Sequence, residues 1–195
     1  MIRTKEDLKQ YLDMDKFALG VTRKHPPVFG DEVWKFQIIL RKREYYTNCR
    51  QNVFTKLMRG YYSFRHHNMS VKLGFQVPAN TCGPGLRINH FGHMGVHPNA
   101  KIGKFCNIHQ GAWIAQNVEE GVAPTIGDNV FIGAGAKVLG GVTIANDVVI
   151  AANSVVIRDV LQEHVTVGGI PAKIIKETGN PFKIEEQYYE NLNGK

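Results

Sequence analysis

From Val96 to Val156 the chain repeats itself every six residues, and nothing else in it restricts the fold so sharply. Val96, Ile102, Ile108, Ile114, Ile126, Ile132, Val138, Ile144, Ile150 and Val156 share one register, and only Glu120 breaks the series. Two residues before most of them lies a small or β-branched side chain: Ala100, Cys106, Ala112, Val130, Ala136, Val142, Val148, Ser154. Gly or Ala follows several, as at Gly103, Ala115, Gly127, Gly133, Ala145 and Ala151. A half-buried strand alternates with period two and an amphipathic helix repeats with period 3.6, so period six is neither. One aliphatic and one small inward residue per unit describe a short strand followed by a turn. Three such units close a triangular coil of a parallel β-helix, with the aliphatic residues stacked inside and Gly, Asn and Asp at the corners. A single coil cannot bury its own face, so the coils must stack. A sheet with crossover helices is excluded, because residues 96–156 hold no helical stretch.

The chain changes texture near Leu73-Gly74. This predicts an N-terminal helical region over 1–73, a β-helix over 74–176 and a tail over 177–195 that forms a short helix or a flexible end. Thr4-Lys5-Glu6-Asp7 has the form of a capping box opening a short helix through Tyr11. Pro26-Pro27 and Gly30 interrupt the chain. From Glu32 to about His67 apolar residues recur at helical spacing: Trp34, Ile38, Tyr45, Val53, Leu57, Tyr61 and Phe64. These are expected to pack. Arg41, Lys42, Arg43 and Glu44 are expected in solvent, and His25, His66 and His67 on the surface.

Composition excludes several classes. With 195 residues, 43% apolar and 21% charged, the chain has globular composition. No apolar run approaches bilayer length. The N-terminus has no apolar signal-peptide core, so a cytoplasmic protein is expected. Cys49, Cys82 and Cys106 form no CxxC pair or metal-type cluster and receive no role. The net charge of +7 favours phosphate-bearing partners. No stacking or groove-reading motif accompanies the basic residues, so nucleic acid is not expected.

The stretch IGDNVFIGAGAKVLGGVTIANDVVIAANSVVIRDV, followed by VTVGGIPAKII, resembles the hexapeptide-repeat acyltransferases, among them serine O-acetyltransferase and its sugar-directed cousins. The resemblance covers about residues 74–176. It implies left-handed coils, a homotrimer, and acetyl-CoA held between neighbouring subunits with a histidine as general base. Serine acetyltransferases carry that base in Gly-x-Gly-aliphatic-x-aliphatic-Asp-His, and this chain reads Gly83-Pro84-Gly85-Leu86-Arg87-Ile88-Asn89-His90. The match puts the base at His90, in a stretch where Ile88 and Val96 are eight apart rather than six. His109, Gln76, Asn89 and Trp113 are candidates for binding the acceptor. Ala134 and Ala152 match backbone donors to the cofactor, and Arg158, Lys173 and Lys176 match its basic positions. The Arg-His pair that contacts the serine carboxylate in this family aligns with Val122-Ala123, and Gln76 and Asn89 stand at carboxylate positions. What orients His90 is open, with Glu119 or Glu120 as candidates, from this subunit or a neighbour.

These replacements favour acetyl transfer to a hydroxyl of a sugar or surface-polysaccharide intermediate. The alternatives are serine O-acetyl transfer, a non-catalytic β-helix scaffold, and a zinc hydratase like the γ-class carbonic anhydrases. No His-x4-His matches the ligand pattern of that last family, so no metal is expected.

Overall fold

A computed structural model of the chain describes residues 1–194. Three helices come first: α1 (Lys5–Ala18), α2 (Glu32–Asn48) and α3 (Val53–Leu73). Short strands follow and fall into three sheets. The first sheet stacks β1 (Phe75–Gln76), β3 (Met94–Val96), β6 (Trp113–Ala115), β9 (Lys137–Leu139) and β12 (Val155–Val156). The second holds β4 (Lys101–Ile102), β7 (Thr125–Ile126) and β10 (Thr143–Ile144). The third holds β2 (Arg87–Ile88), β5 (Asn107–Ile108), β8 (Phe131–Ile132), β11 (Val149–Ile150) and β13 (Thr166–Gly169), and β14 (Ala172–Lys176) returns antiparallel to β13. The chain visits the sheets in rotation, so each circuit is one coil of a parallel β-helix. The final helix, α4, runs Ile184–Asn193.

The period sets this register. Ile126 pairs with Ile144, Ile132 with Ile150 and Val138 with Val156, so a regular coil takes three hexads. Every aliphatic residue of the column is buried, between 0% and 6% exposed. The exception at Glu120 is an insertion. Ile102 pairs with Ile126, Ile108 with Ile132 and Ile114 with Val138, which makes that coil one hexad longer. The extra six residues leave as a loop over 116–124 that carries Glu120 into solvent and returns in register. Most corners take the residues expected, with Phe105 and His164 as left-handed exceptions. Gly111, Gly135 and Asn153 are left-handed along one edge, and Asn129 and Asp147 along another. Gly and Asn tolerate that conformation at low cost.

The helical region departs from its sequence reading in five ways. The first helix extends past Tyr11 to Ala18, closed at its start by the Thr4–Asp7 capping box. The span from Glu32 to His67 is two helices, broken at Cys49–Asn52, where Asn52 caps α3. Arg41 and Glu44 are buried, not solvated. Arg41 Nε donates to Asp15 Oδ2 at 2.7 Å and Nη1 to Glu44 Oε2 at 3.0 Å. The same guanidinium donates to the carbonyls of Cys82 and Gly83. Burial alone would release its proton more readily, but Asp15 and Glu44 outweigh that and hold its pKa well above the ordinary value. Phe36 and Leu40 of α2 enter the same core as the β-helix column. α2 is thus bolted onto the first coil.

His66 is also buried, against Phe36, with Nδ1 2.8 Å from Arg43 Nη1. Val53, Leu57, Tyr61 and Phe64 are exposed, so the apolar spacing of α3 marks an outer face and not the expected packing. The tail is anchored. Asn180 is buried and donates from Nδ2 to the Asn129 carbonyl. Ile184 joins Met14, Ala18 and Phe105 in a second small core. None of the described helices is long and apolar enough to cross a membrane.

Candidate active site

One corner of the β-helix gathers most of the expected site. Between the third and first sheets successive coils turn at Asn89-His90, His109-Gln110, Gly133-Ala134 and Ala151-Ala152. The backbone links them: Asn89 N donates to the Ile108 carbonyl, His109 N to Ile132 and Gly133 N to Ile150. The four corners therefore stack along one edge, a strand spacing of about 4.8 Å apart.

The upper end of this edge carries the imidazoles. His90 is exposed, and its ring centroid lies 6.3 Å from that of His109. Its ring makes no hydrogen bond among the described residues. His109 is half-buried against Phe131, with centroids 4.8 Å apart, and its buried Nε2 has no hydrogen-bond partner among the described residues. Burial first, then nearby His90 and Arg87, push the His109 imidazole below its ordinary value, so it is neutral at pH 7. Asn89 Nδ2 donates to Asn107 Oδ1, while Arg87 Nε donates to Asn89 Oδ1 at 3.1 Å. This chain of amides ties the Arg87-to-His90 segment to β5.

The lower end is small and open. The backbone N–H groups of Ala134 and Ala152 have no acceptor among the described residues, while those of Gly133, Gly135, Ala151 and Asn153 are engaged. Two free donors thus lie one coil apart on the edge that leads away from the histidines. Gly133 permits the close approach, because a Cβ there would lie 2.6 Å from Ala152 N. Lys173 pairs with Gly168 in the β13–β14 hairpin, beside the corner of Ala151, and Lys176 pairs with Thr166 further along. Both are exposed. Arg158 sits on the next corner of the coil, beyond β12, and the single chain does not bring it to this edge.

The acceptor residues do not form one group. Asn89 and His109 flank His90. Gln76 and Trp113 lie around the corner on the first sheet. Gln76 lines a cavity of about 660 Å³ with His93, Val96 and the α3 residues His66 and His67. Trp113 packs over Gly95, where a Cβ would meet its ring at 2.5 Å, and its ring meets His93 edge-on at 4.9 Å. The ring is half-buried, with one side packed on Gly95. Glu119 and Glu120 stand on the loop at a different corner and do not approach His90 within the chain. Instead Asp31 and Glu32 from the start of α2 line a cavity of about 330 Å³ beside His90.

Three groups were not singled out by the sequence: Asn107, Phe131 and Phe182. Phe182 stacks on Phe131 at 5.6 Å, so the C-terminal segment walls the site. The one available signal was the outward position of Asn107 and Phe131 in their hexads. Nothing local marks Phe182, which arrives by tertiary folding. Cys82 and Cys106 are buried in the column. Burial pushes the Cys82 thiol up to about 11 and raises Cys106 too, so neither is a nucleophile. Among the described residues no three His, Cys, Asp or Glu side chains converge as metal ligands.

Residues 123–158 match the bacterial transferase hexapeptide (six repeats) family. A serine acetyltransferase of Staphylococcus epidermidis is 31% identical over 182 residues, 91% of this chain and 79% of that protein. That of Synechococcus elongatus is 38% identical over 104 residues, 52% of this chain and 42% of its own length. With another from Staphylococcus xylosus matched over 48%, the aligned stretch spans about half of such relatives. Among solved structures, the serine acetyltransferase of Brucella abortus superposes with a TM-score of 0.68 at 24% identity, covering 90% of this chain and 71% of that one. A truncated serine acetyltransferase apoenzyme gives 0.70 at 22% identity, covering 88% and 71%. Fold and corner together define a left-handed parallel β-helix of the hexapeptide-repeat class. Within that class, the chain belongs to the serine acetyltransferase family.

Proposed function

We propose that the chain is an acetyl-CoA-dependent O-acetyltransferase, acting as a homotrimer with active sites between subunits. The observation that carries this is the stacked corner. It joins an accessible imidazole at His90 to a small-residue edge with two free backbone donors at Ala134 and Ala152. An extended pantetheine arm needs such donors along its length, and Lys173 stands where that edge meets the hairpin to hold phosphate as a point charge. Lys176 is a second cation on the hairpin. Arg158 would reach a groove only from a neighbouring subunit.

The reaction is attack of an acceptor hydroxyl on the thioester carbonyl. A hydroxyl is a weak nucleophile at neutral pH, so a base must take its proton as the bond to carbon forms. His90 fills that role, and the thiolate of CoA leaves with a proton returned to it. The neutral, half-buried His109 stands beside it as a hydrogen-bonding partner for the acceptor. Asn89 holds the segment in place.

L-serine is the acceptor that the relatives support best. A saccharide hydroxyl is the second reading, supported by the amides Gln76 and Asn89 at carboxylate positions and by uncharged Val122-Ala123. Acetyl-CoA consumption with L-serine and with a panel of sugars, nucleotide sugars and oligosaccharides separates the two. Turnover of L-serine alone selects the first, and turnover of saccharides with serine inert selects the second. A protein that binds no acetyl-CoA contradicts both and leaves a scaffold.

A further inference from the structure

Three arginines of this chain are half-buried or buried near the junction of helices and β-helix, and Arg41 alone is saturated. Arg41 is saturated by Asp15, Glu44 and two carbonyls. Arg43 donates to His66 Nδ1 from the α2–α3 side, away from the stacked corner. Arg87 lies beside the candidate base. It sits on β2, half-buried, three residues before His90. Its Nε donates to Asn89, but neither Nη has a hydrogen-bond partner among the described residues, and no carboxylate lies within 4 Å of it. Its Cζ lies 5.8 Å from the centre of the Phe182 ring, so one side is apolar.

The surroundings do not neutralise it. From Tyr45 through Val118 the sequence contains no Asp or Glu. The two carboxylates that line the cavity at His90 already face cations of their own. Asp31 Oδ2 lies 3.1 Å from Arg23 Nη1, and Glu32 Oε1 lies 3.3 Å from Lys35 Nζ. A partly desolvated guanidinium without a counter-charge is costly, and its planar fork is shaped for carboxylate or phosphate.

Resting on the acetyl-transfer reading above, we propose that Arg87 binds an anionic group, carboxylate or phosphate, on the acceptor. The Asn89–Asn107 bond fixes Arg87 and His90 to one short segment. The anion and the reacting hydroxyl must therefore lie close together on the acceptor, which describes a compact hydroxy-acid, a uronate or a sugar phosphate and excludes a neutral sugar. Arg87 would supply, from β2, the cation that Val122-Ala123 do not.

The test uses acceptors that differ only in the anion: L-serine against L-serinamide, glucuronate against glucose, galactose 1-phosphate against galactose. Each is assayed with the full-length protein and with Arg87→Gln and Arg87→Lys, and acetyl-CoA binding is measured by calorimetry on the same preparations. The anionic member of at least one pair should be favoured. Arg87→Gln should raise its KM by roughly ten- to a hundredfold, the scale of a charge-assisted hydrogen bond. The turnover number at saturation and the acetyl-CoA affinity should move little, and Arg87→Lys should recover part of the loss. Preference within the serine and glucuronate pairs identifies a carboxylate, and preference within the galactose pair identifies a phosphate. If acetyl-CoA binds and no pair shows a preference, or if Arg87→Gln slows both members equally, the assignment of Arg87 fails and the transferase reading stands. If acetyl-CoA does not bind the unaltered protein, both fail.

Discussion

The β-helix and the helical region obey different rules. In the β-helix each coil repeats the instruction of the last. An aliphatic residue points inward, a small residue precedes it, and most corners go to Gly, Asn or Asp. Register is then local, and even a loop of one extra hexad leaves Ile114 facing Val138. In the helical region the decisive contacts are few and distant in sequence. Arg41 ties α2 to Asp15 of α1 and to the carbonyls of Cys82 and Gly83 in the first coil. A repeat can lose one contact and keep its frame. A single buried ion cluster has no such redundancy.

Four substitutions probe that contrast, from the largest effect to the smallest. Ile132→Asp places an unpaired carboxylate where side chains are fully buried, between Ile108 and Ile150. It should abolish folding, seen as loss of the cooperative transition and of soluble product. Arg41→Ala leaves Asp15 and Glu44 buried without their cation. A cost of about 3–5 kcal/mol is expected by denaturant titration. If it costs under about 1 kcal/mol, the cluster is not what binds the two regions.

His66 offers a smaller, pH-dependent effect. Burial, then Arg43, depress its pKa from 6.5 to about 4. The folded state therefore holds it neutral while the unfolded chain protonates it below about 6.5. Stability should fall as pH drops from 6.5 toward 4, and His66→Gln should flatten that slope in thermal melts. An unchanged slope would assign the acid sensitivity to other groups. Glu120→Ala, on the solvent loop, should shift stability by less than about 0.5 kcal/mol. A larger loss would mean that the break in the repeat is structural.

The same contrast explains what the sequence disclosed. The column and its corners were legible because each residue's role depends on neighbours six or eighteen positions away, whereas His90 stood out only through the resemblance of Gly83–His90 to a family motif, in a stretch that breaks that spacing. The burial of Arg41 and Glu44 was hidden, because charged residues at helical spacing look solvated until a distant acid and two carbonyls surround them. The exposed Val53, Leu57 and Phe64 were misread for the converse reason: an apolar helical stripe does not say what covers it. That Trp113 would pack on Gly95, one coil away, depends on the stacking of coils and not on its own neighbours in sequence. Phe182 reached the site through the Asn180 anchor, a contact made across 51 positions of sequence.

The central claim is that the imidazole at the head of the corner does chemistry while the small residues below it hold the acyl donor. The most direct measurement compares His90→Ala and His109→Ala with the unaltered protein, in steady-state turnover and in acetyl-CoA affinity. His90→Ala should lower the turnover number by about a hundredfold or more and leave acetyl-CoA affinity largely intact. His109→Ala should be the milder change. Near-normal turnover in His90→Ala, or a deeper loss in His109→Ala, would contradict the account and move the base to the other histidine.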